Sequence, residues 1–354
     1  MTDLGQLNIL FEDDEITDIL INGYDQLYIE RNGKLHQIPV KFTKDELDKI
    51  VENIVTPLNK HVDEENTMLD GRLEDGSRVN IIVPPASIIG PMVSIRKFRK
   101  LNLSEQFWLD ANSLNEVMLS FLRLCVTAKK NIIISGGTGA GKTSFLNLLS
   151  SFIPEDERIL TIEDAAELQL GQKHVGKLEA RLPNSSGKGE ITIRSLVINA
   201  LRMRPDRIIV GECRGGEALD MLQAMNTGHN GSMTTIHANS PRDALKRLET
   251  MVLMAGFDLP VKAIREQVVS AVNVIVQLAR FPDGSRKVSS ITEVIGLEGD
   301  VITTGEIFKF AQSGPAKASE KIEGNFLPSG MIPNFLHDLK AKGLDFDLRI
   351  FKQT

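Results

Sequence analysis

Eight residues, GGTGAGKT at 136–143, constrain this chain more than any other stretch. They follow the apolar run NIIIS and open a helical pattern, so a buried strand must turn through glycines directly into a helix. Glycines let successive backbone N–H groups turn inward around a phosphate, and the positive end of the helix dipole adds to the attraction. Gly136, Gly137, Thr138, Gly139, Ala140 and Gly141 form the cradle, with Ser144 one position beyond it. Lys142 would reach the β- and γ-phosphates of a nucleotide, and the Thr143 hydroxyl would ligate magnesium. The surrounding segments read the same way. RILTIED, RIIVGE, SMTTIHA and VNVIVQLAR are strand-like, with GGEALDMLQAMN and PRDALKRLETMVLMAG as helical patterns between strands. That alternation argues for a parallel sheet covered by helices on both faces.

The first hundred residues have a different texture. ITDILING and QLYIER read as strands, NGK at 32–34 as a hairpin turn, and DGSRVNIIVPP and MVSIRKF as two further strands. Thr43, with Glu46 three residues on, has the capping-box pattern at the head of a helix. The expected organisation is a small α/β domain over 1–100, a linker over 101–112, a larger α/β domain over 113–310 and a tail over 311–354. Ser113 is the expected cap of the next helix, with Glu116 three residues on. RFPDGSRKVSSITEVIG and DVITTGEIFKF suggest an antiparallel ribbon, and PNFLHDLKAKG one more short helix.

Composition excludes several classes of function. The net charge of −6, with no long lysine–arginine block, argues against nucleic acid as a direct partner. Cys125 and Cys213 are the two cysteines and lie far apart, so neither a disulfide framework nor a zinc site is expected. The acidic start lacks the basic region of a signal peptide, and no run reaches the roughly 18 apolar residues of a membrane span. The expectation is a soluble, intracellular chain that meets a membrane only through partners.

Glu212 closes the apolar strand RIIVGE, and Gly211 precedes it. Ligands of open α/β sheets sit at the carboxyl ends of strands, where a carboxylate can take a proton from an attacking water. Gly211 cannot hold magnesium, so another acid must, and Glu163 and Asp164 close the neighbouring strand in TIEDAAEL. Acids after strands also cap helices, and both readings stand for these two. His237 follows TTI and should emerge on the same sheet edge, where it could sense a γ-phosphate; His229 precedes that strand.

The segments GGTGAGKTS, TIEDAAELQL and NALRMRPDRIIVGECRGGEALDMLQAMNTGHNGSMTTIHANSPRDALKRLE together resemble the secretion-superfamily ATPases of type II, type IV and pilus machines. In that superfamily a glycine–glutamate ending of the Walker B strand is the rule. Its acidic box matches at Glu163 and its histidine box over His229 and His237. EITDILINGYDQLYIERNGKL, VDEENTMLDGRLEDGSRVNIIVPP and GPMVSIRKF narrow the resemblance to the CpaF family, ATPases of tight-adherence (Tad) pili. The resemblance implies a small N-terminal α/β (PAS-like) domain and a C-terminal RecA-like P-loop ATPase domain. It also implies ATP and Mg2+ as ligands and a homohexamer on the cytoplasmic side of the inner membrane. The partners it implies are inner-membrane pilus platform proteins and, indirectly, pilin.

Arg78 and Arg96 match the family's arginines that reach a γ-phosphate from the first domain. Arg202 and Arg204 are basic residues near the sheet edge that could act across a subunit boundary. The sequence departs from the family in having only about fifteen residues before ITDILING, where CpaF-type chains carry a helical region. It also has Ile198 at a usually basic position, and it lacks the zinc tetracysteine of some relatives. A type IV secretion traffic ATPase and a nucleotide-gated scaffold with little hydrolysis are the competing readings.

Overall fold

The computed structural model describes residues 4–31, 33–98, 104–181, 183, 187–314, 321–336, 339 and 346–352. The chain forms two compact units, Met1–Leu101 and Asn102–Thr354.

The first unit runs α1 (Asn8–Glu12), β1 (Ile16–Asn22), β2 (Gln26–Arg31), β3 (Lys34–Ile38), α2 (Lys44–Val55), β4 (Met68–Arg72), β5 (Arg78–Ile82) and β6 (Met92–Arg96). Among the described residues its strands make a six-stranded sheet in the order β3-β2-β1-β6-β5-β4, every neighbouring pair antiparallel. Period-2 patterning explains which face is buried. Ile19, Ile21, Val79, Ile81, Val93 and Ile95 point into a core shared with Leu47, Ile50, Val51 and Ile54 of α2. The capping box is present as expected: Glu46 N donates to Thr43 Oγ1, and Thr43 N donates to Glu46 Oε2. Gly33 takes φ 77° in the β2–β3 turn, while Asn32 of the expected NGK turn lies outside the described residues.

The second unit runs α3 (Glu105–Asp110), α4 (Glu116–Thr127), β7 (Ile132–Gly136), α5 (Lys142–Ser150), β8 (Ile159–Glu163), β9 (Val175–Glu179), α6 (Ile193–Ala200), β10 (Arg207–Val210) and α7 (Glu217–Asn226). It continues with β11 (Met233–Ile236), α8 (Pro241–Met254), α9 (Val261–Ala271), β12 (Val274–Arg280), β13 (Arg286–Glu298), β14 (Val301–Gln312) and β15 (Gly324–Pro328). The sheet order among the described residues is β15-β14-β13-β12-β7-β11-β10-β8-β9. From β12 to β9 the strands are parallel, and from β12 to β15 they are antiparallel. The inner parallel strands β7, β11, β10 and β8 bury both faces, which is why they read as continuous apolar runs. Ile132 and Ile134 face a core with α4 and α5, and Ile133 faces a second core with α6 to α9.

The structure corrects one expected cap. Asn115, not Ser113, caps α4, its side chain accepting from Met118 N. Ser113 is committed elsewhere, since its carbonyl accepts from Val288 N and its N–H donates to Trp108 O. The expected helix in PNFLHDLKAKG falls mostly outside the described residues.

Candidate active site

The carboxyl ends of β7, β11, β10 and β8 lie side by side in that order, so four loops share one sheet edge. From β7 comes the glycine loop. Gly139 and Gly141 hold φ of 69° and 90°, a region L side chains rarely adopt. Gly136 has no room for a side chain, because a Cβ there would lie 2.8 Å from Leu278 O. No side chain caps the start of α5, so the helix presents its positive end to the loop. Lys142 folds back over the loop, its Nζ donating to Gly137 O at 3.1 Å. Burial lowers the Lys142 pKa; the nearby Glu212 carboxylate opposes that shift and the Arg214 guanidinium adds to it.

At the ends of β8 and β10 the absence of a side chain on Gly211 gains a physical reason. Gly211 N donates to Ile162 O at 2.9 Å, which sets Gly211 beside Glu163. A Cβ on Gly211 would lie 3.0 Å from Glu163 Cγ, so the space that an aspartate would fill is occupied by the neighbouring strand's acid. Glu163 is buried, 3% exposed. Its Oε1 accepts from Glu167 N at 2.9 Å and Leu168 N at 3.0 Å, whereas Oε2 has no hydrogen-bond partner. One oxygen of Glu163 therefore caps a turn, and the other is left over. Burial raises its pKa, and the two backbone donors partly offset that.

Glu212 is half-buried, and its Oε2 accepts from Arg214 Nε at 2.8 Å and Nη2 at 2.5 Å. Arg214 also pairs through Nη1 with Asp164 Oδ2 at 3.0 Å. His237 lies one residue past the end of β11 and is half-buried. The flanking backbone is held by Thr235 Oγ1, which donates to Gly211 O at 2.8 Å, and by Gln277 Nε2, which donates to Ala238 O at 3.1 Å.

The loop residues 136–144, Glu163, Glu212 and His237 are thus brought to one edge. Arg202, Arg204 and His229 are not. They precede β10 and β11 and lie at the amino-terminal edge of the same sheet, with both arginines exposed. Arg78 and Arg96 belong to the first unit, directly opposite each other on β5 and β6, and Arg96 Nε donates to Asp18 Oδ1 at 3.0 Å. Four residues of this region went unread in the sequence. Arg214 links the two acids, Arg286 Nε donates to Gly139 O at 2.8 Å, and Arg280 Nη1 lies 3.1 Å from a Cβ built on Gly139. Trp108 packs edge-on to Phe145 with ring centroids 5.0 Å apart and borders Gly141. Only Arg214 had a local signal, its place two residues after Glu212.

The residues fit a magnesium ion. An orphaned buried carboxylate oxygen on Glu163 and a hydroxyl at Thr143 give the one or two protein ligands that magnesium usually takes beside phosphates and waters.

A glycine loop on a parallel sheet, a lysine at the helix start and acids on the neighbouring strand ends define a RecA-like P-loop ATPase. The chain belongs to the type II/IV secretion system protein family, whose signature matches residues 1–314. It is 32% identical over 298 residues to the conjugal transfer protein TrbB of Rhizobium radiobacter, covering 83% of this chain and 87% of TrbB. It is 36% identical over 292 residues to the type IV secretion system protein PtlH homolog of Bordetella bronchiseptica, covering 75% of this chain and 86% of the homolog. The fold is similar to that of the pilus retraction motor PilT with bound ADP, at a TM-score of 0.57 and 22% identity over 78% of each chain. Among the described residues no helix is long and apolar enough to cross a membrane.

Proposed function

We propose that this ATPase is the motor of a Tad or type IV-like pilus. It would act as a homohexamer on the cytoplasmic side of the inner membrane, reaching pilin through platform proteins and driving assembly or, in reverse, retraction. The observation that supports the ATPase part of the reading is the edge itself: the phosphate loop, the orphaned Glu163 Oε2 and the Glu212 carboxylate share one line of strand ends. The pilus part rests on the resemblance of the amino-terminal segments to Tad pilus ATPases. Backbone N–H groups of 136–144 and Lys142 bind the phosphates. Thr143 and Glu163 Oε2 would hold magnesium, which would supply neutralisation of phosphate charge when bound. Glu212 takes a proton from water as the water oxygen bonds to the γ-phosphorus and the bond from phosphorus to the β–γ bridging oxygen breaks, releasing ADP. His237 reads the γ-phosphate. Arg78 and Arg96 are, by the family resemblance, the cations proposed to neutralise the γ-phosphate charge.

The names of the relatives favour a second reading, a type IV secretion traffic ATPase that moves protein or DNA. A Glu212→Gln strain separates the two. Loss of surface fibres with secretion and conjugation intact supports the pilus motor; the opposite pattern supports the traffic ATPase. A strain normal in both respects contradicts both.

A further inference from the structure

Among the described residues, Arg214 is a side chain that touches both acidic strand ends, pairing with Asp164 and with Glu212. Its backbone is pinned first: Arg214 N and Gly215 N donate to Glu217 Oε1 at 2.6 and 2.9 Å, fixing the turn at the head of α7. The far end of its guanidinium is pinned by Asp164 at 3.0 Å. Between these anchors, Nε and Nη2 both donate to the same oxygen, Glu212 Oε2, while Oε1 accepts no hydrogen bond among the described residues. A guanidinium is planar, with donors in a rigid fork, so holding it at two places fixes the plane in which the carboxylate must lie.

We infer that Arg214 is a positioning residue for Glu212. By engaging Oε2 twice it turns Oε1 toward the attacking water, and through Asp164 it ties the base to the strand end that carries Glu163. The inference rests on the reading of Glu212 as the base. A lysine could not substitute fully, because an ammonium presents its donors from one point and cannot span both acids. At 63% side-chain exposure the ion pair adds little to stability, so its loss is read in turnover rather than in folding.

The test is steady-state ATP hydrolysis by the full chain with magnesium. Arg214→Ala should lower kcat by roughly 10²-fold, the scale of a misplaced catalytic group, with KM for ATP within about threefold of wild type. Arg214→Lys should fall between the two. Millimolar guanidinium should restore part of the Arg214→Ala activity and none of that of Glu212→Gln, which a merely structural role would not give. A kcat for Arg214→Ala within about threefold of wild type, or a loss that guanidinium leaves untouched, overturns the inference. If Arg214→Ala does not fold, Arg214→Gln carries the same criteria. Failure of the underlying reading is separate: Glu212→Gln turning over like wild type removes the base itself, whatever Arg214 does.

Discussion

A single missing side chain organises the acidic edge. With Glu163 Cγ 3.0 Å from where a Gly211 Cβ would sit, Gly211→Asp forces a second carboxylate against a buried one. It should cost about 1–3 kcal/mol of stability by overpacking and lower turnover rather than restore a magnesium ligand. A Gly211→Asp variant with wild-type turnover and melting temperature would contradict the packing account. A second buried acid, Glu293, accepts from Asn334 N and Phe335 N, and burial raises its pKa above the ordinary 4.5. The folded chain then keeps that proton where the unfolded chain has lost it. The stability it lends is full below about pH 4.5 and is lost as pH rises through the raised value. Glu293→Gln should therefore gain in melting temperature relative to wild type as pH rises over that window. A difference independent of pH would refute the assignment.

At the scale of elements, the best-read features were those with local causes. The capping box of α2 is one, and its removal by Thr43→Ala should cost about 1 kcal/mol in urea unfolding, with nucleotide binding by the second unit unchanged. The glycine loop and the apolar parallel strands were legible for the same reason, since their patterns are contained in a few consecutive residues. Edge strands were not. β9 is half-exposed and β15 ends in Pro328, so neither carries an apolar run. Ser113 looked like a cap until its backbone was seen paired with Val288, 175 positions on. The candidate site was half legible. Lys142 and Glu212 stand in motifs, but the role of Arg214 depends on β10 pairing with β8, and the contacts of Arg280 and Arg286 on β12 and β13 with the loop depend on β12 pairing with β7. Arg202, Arg204 and His229 were near the right strands but at their amino-terminal ends.

For the whole molecule, the chain supplies its own reporter. Trp108 is the sole tryptophan, is 3% exposed and lies 3.8 Å from a Cβ built on Gly141. Binding of ATP at the loop should change its emission, and Lys142→Ala should abolish the change; an equal response in both would place the nucleotide elsewhere. The central claim, a ring motor with Glu212 as base, is tested most directly by steady-state ATP hydrolysis of wild type and Glu212→Gln, run beside sedimentation with and without ATP and magnesium. The account predicts turnover in a hexameric wild type. It predicts a Glu212→Gln ring that still binds ATP but turns over at least about 10²-fold more slowly. Equal turnover by the two proteins would contradict it.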